Sequence, residues 1–193
     1  MKNPIFVSLN FLILVAATSI LFSCSDSKEI EKFGFLQKDT FTGEDSIVDV
    51  YPRTKGSDAH SGSYFSRTDS AHQYGVGSYI LVNDTNLNKD LRVNVNLWAR
   101  TNKIEPGFVF AVALHEGDKI VSWNEMDVKK QISGLNTWTN IKDSVTISGA
   151  IINKPGLIVK TYAYNVNNPA KSIIFDVDDL EVIFKTVQVV LEE

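Results

Sequence analysis

Leu91-Arg92-Val93-Asn94-Val95-Asn96-Leu97-Trp98-Ala99-Arg100 alternates apolar and polar side chains over ten residues. Successive side chains of a strand point to opposite faces. This period of two therefore describes a strand with Val93, Val95 and Leu97 in a core and Arg92, Asn94, Asn96, Trp98 and Arg100 on the other side. The segment from Phe108 to Leu114 is apolar at every position, as in a strand covered on both faces. Further strand-like runs occupy 64–68, 77–82, 119–123, 139–147, 157–164 and 173–184. Turn-forming clusters separate them, including Asn83 to Asn86, Glu105-Pro106-Gly107, Glu116-Gly117-Asp118 and Lys154-Pro155-Gly156. No stretch shows a sustained helical period with caps. About eight or more short strands at this spacing predict an all-β chain folded as one antiparallel β-sandwich. The domain is expected over 33–185, with 186–193 extending the last strand or forming a tail.

The first residues have a different character. Lys2, an apolar run from Pro4 to Phe22 and the small Ser23 lead directly to Cys24, the only cysteine. Leu21-Phe22-Ser23-Cys24 resembles the lipobox of bacterial lipoproteins, although Phe22 departs from the small or β-branched residue usual there. The resemblance implies a lipoprotein signal peptide over 1–23, lipidation of Cys24 and anchorage in the outer membrane. Two or three acyl chains, at about 0.8 kcal/mol per buried methylene, hold such a chain without a spanning helix. The competing reading is a spanning helix over 5–22, against which Ser8, Asn10, Thr18 and Ser19 weigh. Residues 24–32 form a polar tether. Within it Ser25-Asp26-Ser27-Lys28-Glu29 resembles the export signal of surface-exposed lipoproteins in Bacteroidota-type bacteria; a plain solvated linker is the alternative, so the periplasmic or external orientation stays open. With Cys24 used by the anchor, the domain has no disulfide and no thiol chemistry. The formal net charge of −4, without a Lys/Arg cluster, disfavours nucleic acid as a partner, because that affinity rests on cations displacing phosphate counterions.

Four segments carry a family resemblance: 59–66 with His60-Ser61-Gly62-Ser63-Tyr64, 91–100 as quoted, 157–165 with Lys160-Thr161-Tyr162-Ala163-Tyr164-Asn165, and 174–182 with Asp178-Asp179-Leu180-Glu181-Val182. In this order they resemble strands of the carbohydrate-binding-module-like jelly rolls, also called galactose-binding-like domains. The resemblance implies a jelly-roll fold and a glycan partner. It also implies a structural calcium near the sandwich edge, with Asp178, the Ser61-Gly62 turn and an acidic residue near the domain start as ligands. The family's Phe-Glu at that start is Phe41-Thr42 here, leaving Asp39 or Glu44 to stand in.

The exposed row Arg92, Asn94, Asn96, Trp98 and Arg100 suits a sugar: an indole stacks on the C–H face of the ring while amides and guanidinium groups bond hydroxyls. Lys160, Tyr162 and Tyr164 form a second row, and both would line one groove if they shared a sheet. Trp123 and Trp138 resemble family positions that pack under loops, which implies a structural role for both. No catalytic constellation emerges. His60, His72 and His115 lack metal-binding spacing, no Gly-x-Ser-x-Gly elbow occurs, and the acidic residues fall mainly in turns and tails. The sequence thus predicts a membrane-anchored, non-catalytic glycan-binding lipoprotein without a catalytic cofactor. A structural or protein-binding envelope module using the same exposed face is the alternative.

Overall fold

The computed structural model describes residues 28–44, 53–165 and 172–192. The apolar run, Cys24 and Ser25 to Ser27 lie outside the described residues. Among the described residues ten strands follow in chain order: β1 (Lys28–Phe41), β2 (Arg53–Lys55), β3 (Tyr64–Thr68), β4 (Tyr74–Leu81), β5 (Asp90–Thr101), β6 (Phe108–Glu116), β7 (Lys119–Met126), β8 (Thr139–Ile147), β9 (Ile158–Asn165) and β10 (Phe175–Glu192). One helical turn, α1 (Val128–Gln131), joins β7 to β8, with Asp127 as its N-cap. The chain divides into a main unit, Glu31–Gln188, and a small terminal one, Met1–Ile30 with Val189–Glu193, whose described residues are strand ends.

Strands β3 to β10 form a jelly roll. One sheet runs β3-β10-β5-β8, with β2 beyond β3 and β1 beside β10; the other runs β4-β9-β6-β7. Every registered pairing is antiparallel. The alternation in β5 places Leu91, Val93, Val95, Leu97 and Ala99 in the core. From the other sheet β6 contributes Phe108, Phe110, Val112 and Leu114. Phe108 stacks on Phe175 of β10 with ring centroids 4.7 Å apart, joining the sheets through their aromatic faces. Full burial of such side chains contributes about 1.5–3 kcal/mol each.

The main differences from expectation lie at the sheet edge. β1 begins at Lys28, inside the stretch read as a tether, and β2 has no counterpart in the sequence pattern. Both are edge strands with mostly exposed or half-buried residues, so no buried face imprints an alternation on them. β10 continues without a break to Glu192, so 186–192 extends the last strand.

Candidate functional site

On β6 the large side chains point into the core and the small ones point out. The outward set, Val109, Ala111 and Ala113, belongs to a second apolar cluster with Tyr162, Trp123 and Tyr164. Strand register explains the cluster. Ala111 lies opposite Tyr162 on β9 and Glu125 on β7, while Ala113 lies opposite Lys160 and Trp123. The two alanines leave room for rings from both neighbouring strands to lean over β6, which accounts for their complete burial on an outer face. Tyr74 of β4 is opposite Tyr164 and completes the group. Centroids of Tyr74 and Trp123 lie 5.3 and 5.5 Å from that of Tyr164, and 5.7 and 5.8 Å from that of Tyr162. All these contacts are tilted or edge-on, the geometry favoured by the ring quadrupoles.

Tyr162 is buried, Trp123 and Tyr164 are half-buried, and Tyr74 is 51% exposed. Polar groups rim the rings. Gln73 Nε2 donates to the Tyr164 hydroxyl at 2.9 Å, and Trp123 Nε1 donates to Glu125 Oε1 at 3.1 Å. His115 stands beside Tyr162, centroids 6.4 Å apart, and its Nε2 is buried without a partner among the described residues. Burial pushes this imidazole below its ordinary 6.5; the Lys160 charge adds to the shift and Asp118 opposes it. β4 can approach β9 closely because Gly77, opposite Tyr162, has no Cβ: one there would lie 1.8 Å from the Thr161 carbonyl oxygen.

The two rows read from sequence do not share a surface. Tyr162 and Tyr164 belong to the four-stranded sheet, and Arg92, Asn94, Asn96, Trp98 and Arg100 to the six-stranded one. The expectation of a common groove is corrected accordingly. Within the row on β5 only the two amides face a hollow, and Asn96 Oδ1 already accepts from Asn140 Nδ2 at 2.9 Å. Asn94 and Asn96 line a hollow of about 570 Å³ with Lys142, Ser144 and Glu181. Arg92 makes a bidentate pair with Glu31 at 2.7 and 3.0 Å. The Trp98 indole is stacked on His60 at 3.8 Å with the planes 17° apart, so the imidazole occupies a face that a sugar would use. Arg100 is buried between the rings of Phe65 and Trp138 and pairs with Asp176 and Asp58. Trp138 is structural as expected, its Nε1 donating to the Asp58 carbonyl at 2.8 Å. Trp123, expected under a loop, instead faces outward on β7. Ala111 and Ala113 were the available signal for this face: small residues alternating with large ones inside an apolar strand.

The implied calcium site does not fit the donors present. Asp178 Oδ2 accepts the backbone N–H groups of His60 and Ser61 at 3.0 and 3.1 Å, and its Oδ1 accepts that of Asp179 at 2.9 Å. Ser61 turns its hydroxyl to Asp179 at 2.7 Å. Asp39 is held by Gln37 at 2.6 Å and by the Ser78 hydroxyl, and Glu44 accepts the N–H groups of Ser63 and Tyr64. Calcium needs about six to eight converging oxygens, whereas here amide hydrogens surround Asp178. Asp178 therefore caps the 60–61 turn; burial raises its pKa from the ordinary value, against the opposing pull of the backbone N–H groups. No group of three or more His, Cys, Asp or Glu among the described residues is arranged to hold a metal.

No family model matches the sequence, and no curated protein is significantly similar to it. Solved structures do match. The carbohydrate-binding module TmCBM61, in complex with β-1,4-galactotriose, is 13% identical over 77% of this chain and 89% of its own, with a TM-score of 0.32. The Stig cyclase Fisc from Fischerella sp. TAU is 12% identical over 85% of this chain and 79% of its own, with a TM-score of 0.38. A structure with xylogluco-oligosaccharide is 13% identical over 83% of this chain and 37% of its own, with a TM-score of 0.28. Similarities of this size assign no function, which has to be argued from the side chains.

Proposed function

We propose that this chain is a lipid-anchored envelope protein whose jelly roll binds a glycan without transforming it, through the outer face of the four-stranded sheet. The observation that carries the reading is the group of Tyr74, Trp123, Tyr162 and Tyr164, held together on three strands of a solvent-facing sheet. Aromatic rings offer an apolar face to sugar C–H groups, and Gln73, Glu125 and Lys160 at their rim supply donors and acceptors for hydroxyls. Absence of a catalytic step is part of the proposal, and so is anchorage through Cys24 in the outer membrane. Incorporation of a labelled fatty acid, abolished by Cys24→Ser, tests the anchor.

A second reading is a protein partner docking on the same face. It draws on Leu81 and Ile120, both exposed apolar residues at one end of that face. Retention of the full chain on immobilised polysaccharides separates the two. The expected result is retardation by at least one polysaccharide, lost in Trp123→Ala and Tyr164→Ala while both variants keep the wild-type melting temperature within a few degrees. Retention that survives both substitutions would place the glycan elsewhere, and no retention by any polysaccharide would favour the protein partner.

A further inference from the structure

At one end of the aromatic face a lysine has no acceptor, and a buried imidazole nitrogen has no partner among the described residues. Lys160 lies on β9 two residues from Tyr162, on the same face, between Tyr79 on β4 and Ala113 on β6. It is half-buried and makes no hydrogen bond or ion pair among the described residues. Six other cations of the domain are held in ion pairs: Lys38 with Glu181, Arg67 and Arg100 with Asp176, Arg92 with Glu31, Lys130 with Asp127 and Lys154 with Glu116. Beside Lys160 on β6 is His115, whose Nε2 is the one buried side-chain nitrogen or oxygen without a partner among the described residues. The carboxylates nearby are otherwise placed. Glu125 accepts from Trp123, and Asp118 is in the β6–β7 turn without an ion pair to Lys160.

Leu81, Ile120 and Ile158 border this end, with Ile158 opposite both Leu81 and His115, and His115 opposite Ile120. Apolar surroundings lower the local dielectric. An ammonium there gains more from an anion than it would on an open surface, and leaving it unpaired costs more.

We propose that the bound glycan is acidic: a sugar oxyanion, carboxylate or sulfate, pairs with Lys160 while the ring stacks on Trp123. This rests on the glycan reading of the same face and adds the ligand's charge. Isothermal titration of the full chain in neutral detergent uses three probes: polygalacturonate, its fully methyl-esterified form and a sulfated galactan. At least one acidic polymer is expected to bind tenfold or more tighter than the ester, and added salt should erase the difference. The preferred acid then identifies the oxyanion. Lys160→Met keeps the apolar stem and should remove the preference for acid, lowering affinity for the acidic polymer far more than for the ester, whereas Trp123→Ala should weaken both alike. Equal affinity of wild type for acid and ester, or an acid preference undiminished in Lys160→Met, overturns the acidic ligand and leaves the glycan site standing. Should Lys160→Met not fold, the acid preference of wild type measured in low and high salt decides the same question. Absence of binding to these and to neutral polysaccharides overturns both.

Discussion

Replacing Asp176 with Asn should destabilise the domain more than any single change on the aromatic face. Asp176 sits on β10 opposite Arg67 of β3 and Arg100 of β5, so one carboxylate joins two guanidinium groups across three strands. Arg67 makes a bidentate contact at 2.7 and 2.9 Å, and Arg100 Nε donates at 2.8 Å. The Asp176 side chain is 2% exposed and that of Arg100 9%. Asparagine preserves the shape and removes the charge, leaving the buried Arg100 cation with only Asp58, whose side chain is 65% exposed. Removing one partner of a buried pair costs about 3–5 kcal/mol, and the remaining Asp58 contact points to the lower end, about 3 kcal/mol. At about 2–4 °C per kcal/mol for a chain of this size, the melting temperature should fall by roughly 6–12 °C. Urea unfolding followed by tryptophan fluorescence measures the loss directly. A loss below about 1 kcal/mol, the value of an exposed pair, would refute the reasoning. The triple variant Arg67→Met, Arg100→Met, Asp176→Leu should recover most of the stability, because replacing a whole buried ion cluster by apolar groups is often neutral or better.

Three further outcomes follow from the geometry. Gly77→Ala should cost about 1–3 kcal/mol in urea unfolding by overpacking against the Thr161 carbonyl, and should weaken glycan retention by moving β4 with Tyr74. His115 has a folded pKa below its ordinary 6.5, so the unfolded chain binds more protons between those values. Its contribution to stability is therefore complete above about pH 6.5 and declines as the pH falls toward the folded value, by at most about 1.4 kcal/mol per pH unit. His115→Gln should flatten that slope in a pH series of unfolding curves, and a slope unchanged in the variant would contradict the assignment. Chelation should leave the melting temperature unchanged, since amide hydrogens surround Asp178; a drop of several degrees on removing calcium would restore the metal site.

The strands themselves were legible. β3 and β8 have the expected bounds, and the burial of β5 follows its alternation from Leu91 to Ala99. Local periodicity governs these features, because a side chain's direction on a strand depends only on its own backbone. The candidate site was legible in part. Lys160, Tyr162 and Tyr164 were readable as one outward row, but Tyr74 and Trp123 join them only through strand register.

Trp98 and Arg100 mark the boundary between the two kinds of information. Their sequence placed them correctly opposite Val93, Val95 and Leu97, on the outer side of β5. What covers that side comes from distant residues: His60 over Trp98, and Phe65, Trp138 and Asp176 around Arg100. The chain alone therefore determined an all-β domain and the face each side chain takes. The tertiary structure decided which outer face is closed by loops and ion pairs and which presents its rings to solvent. A period of two is a property of one strand, whereas exposure depends on what the rest of the chain lays across it.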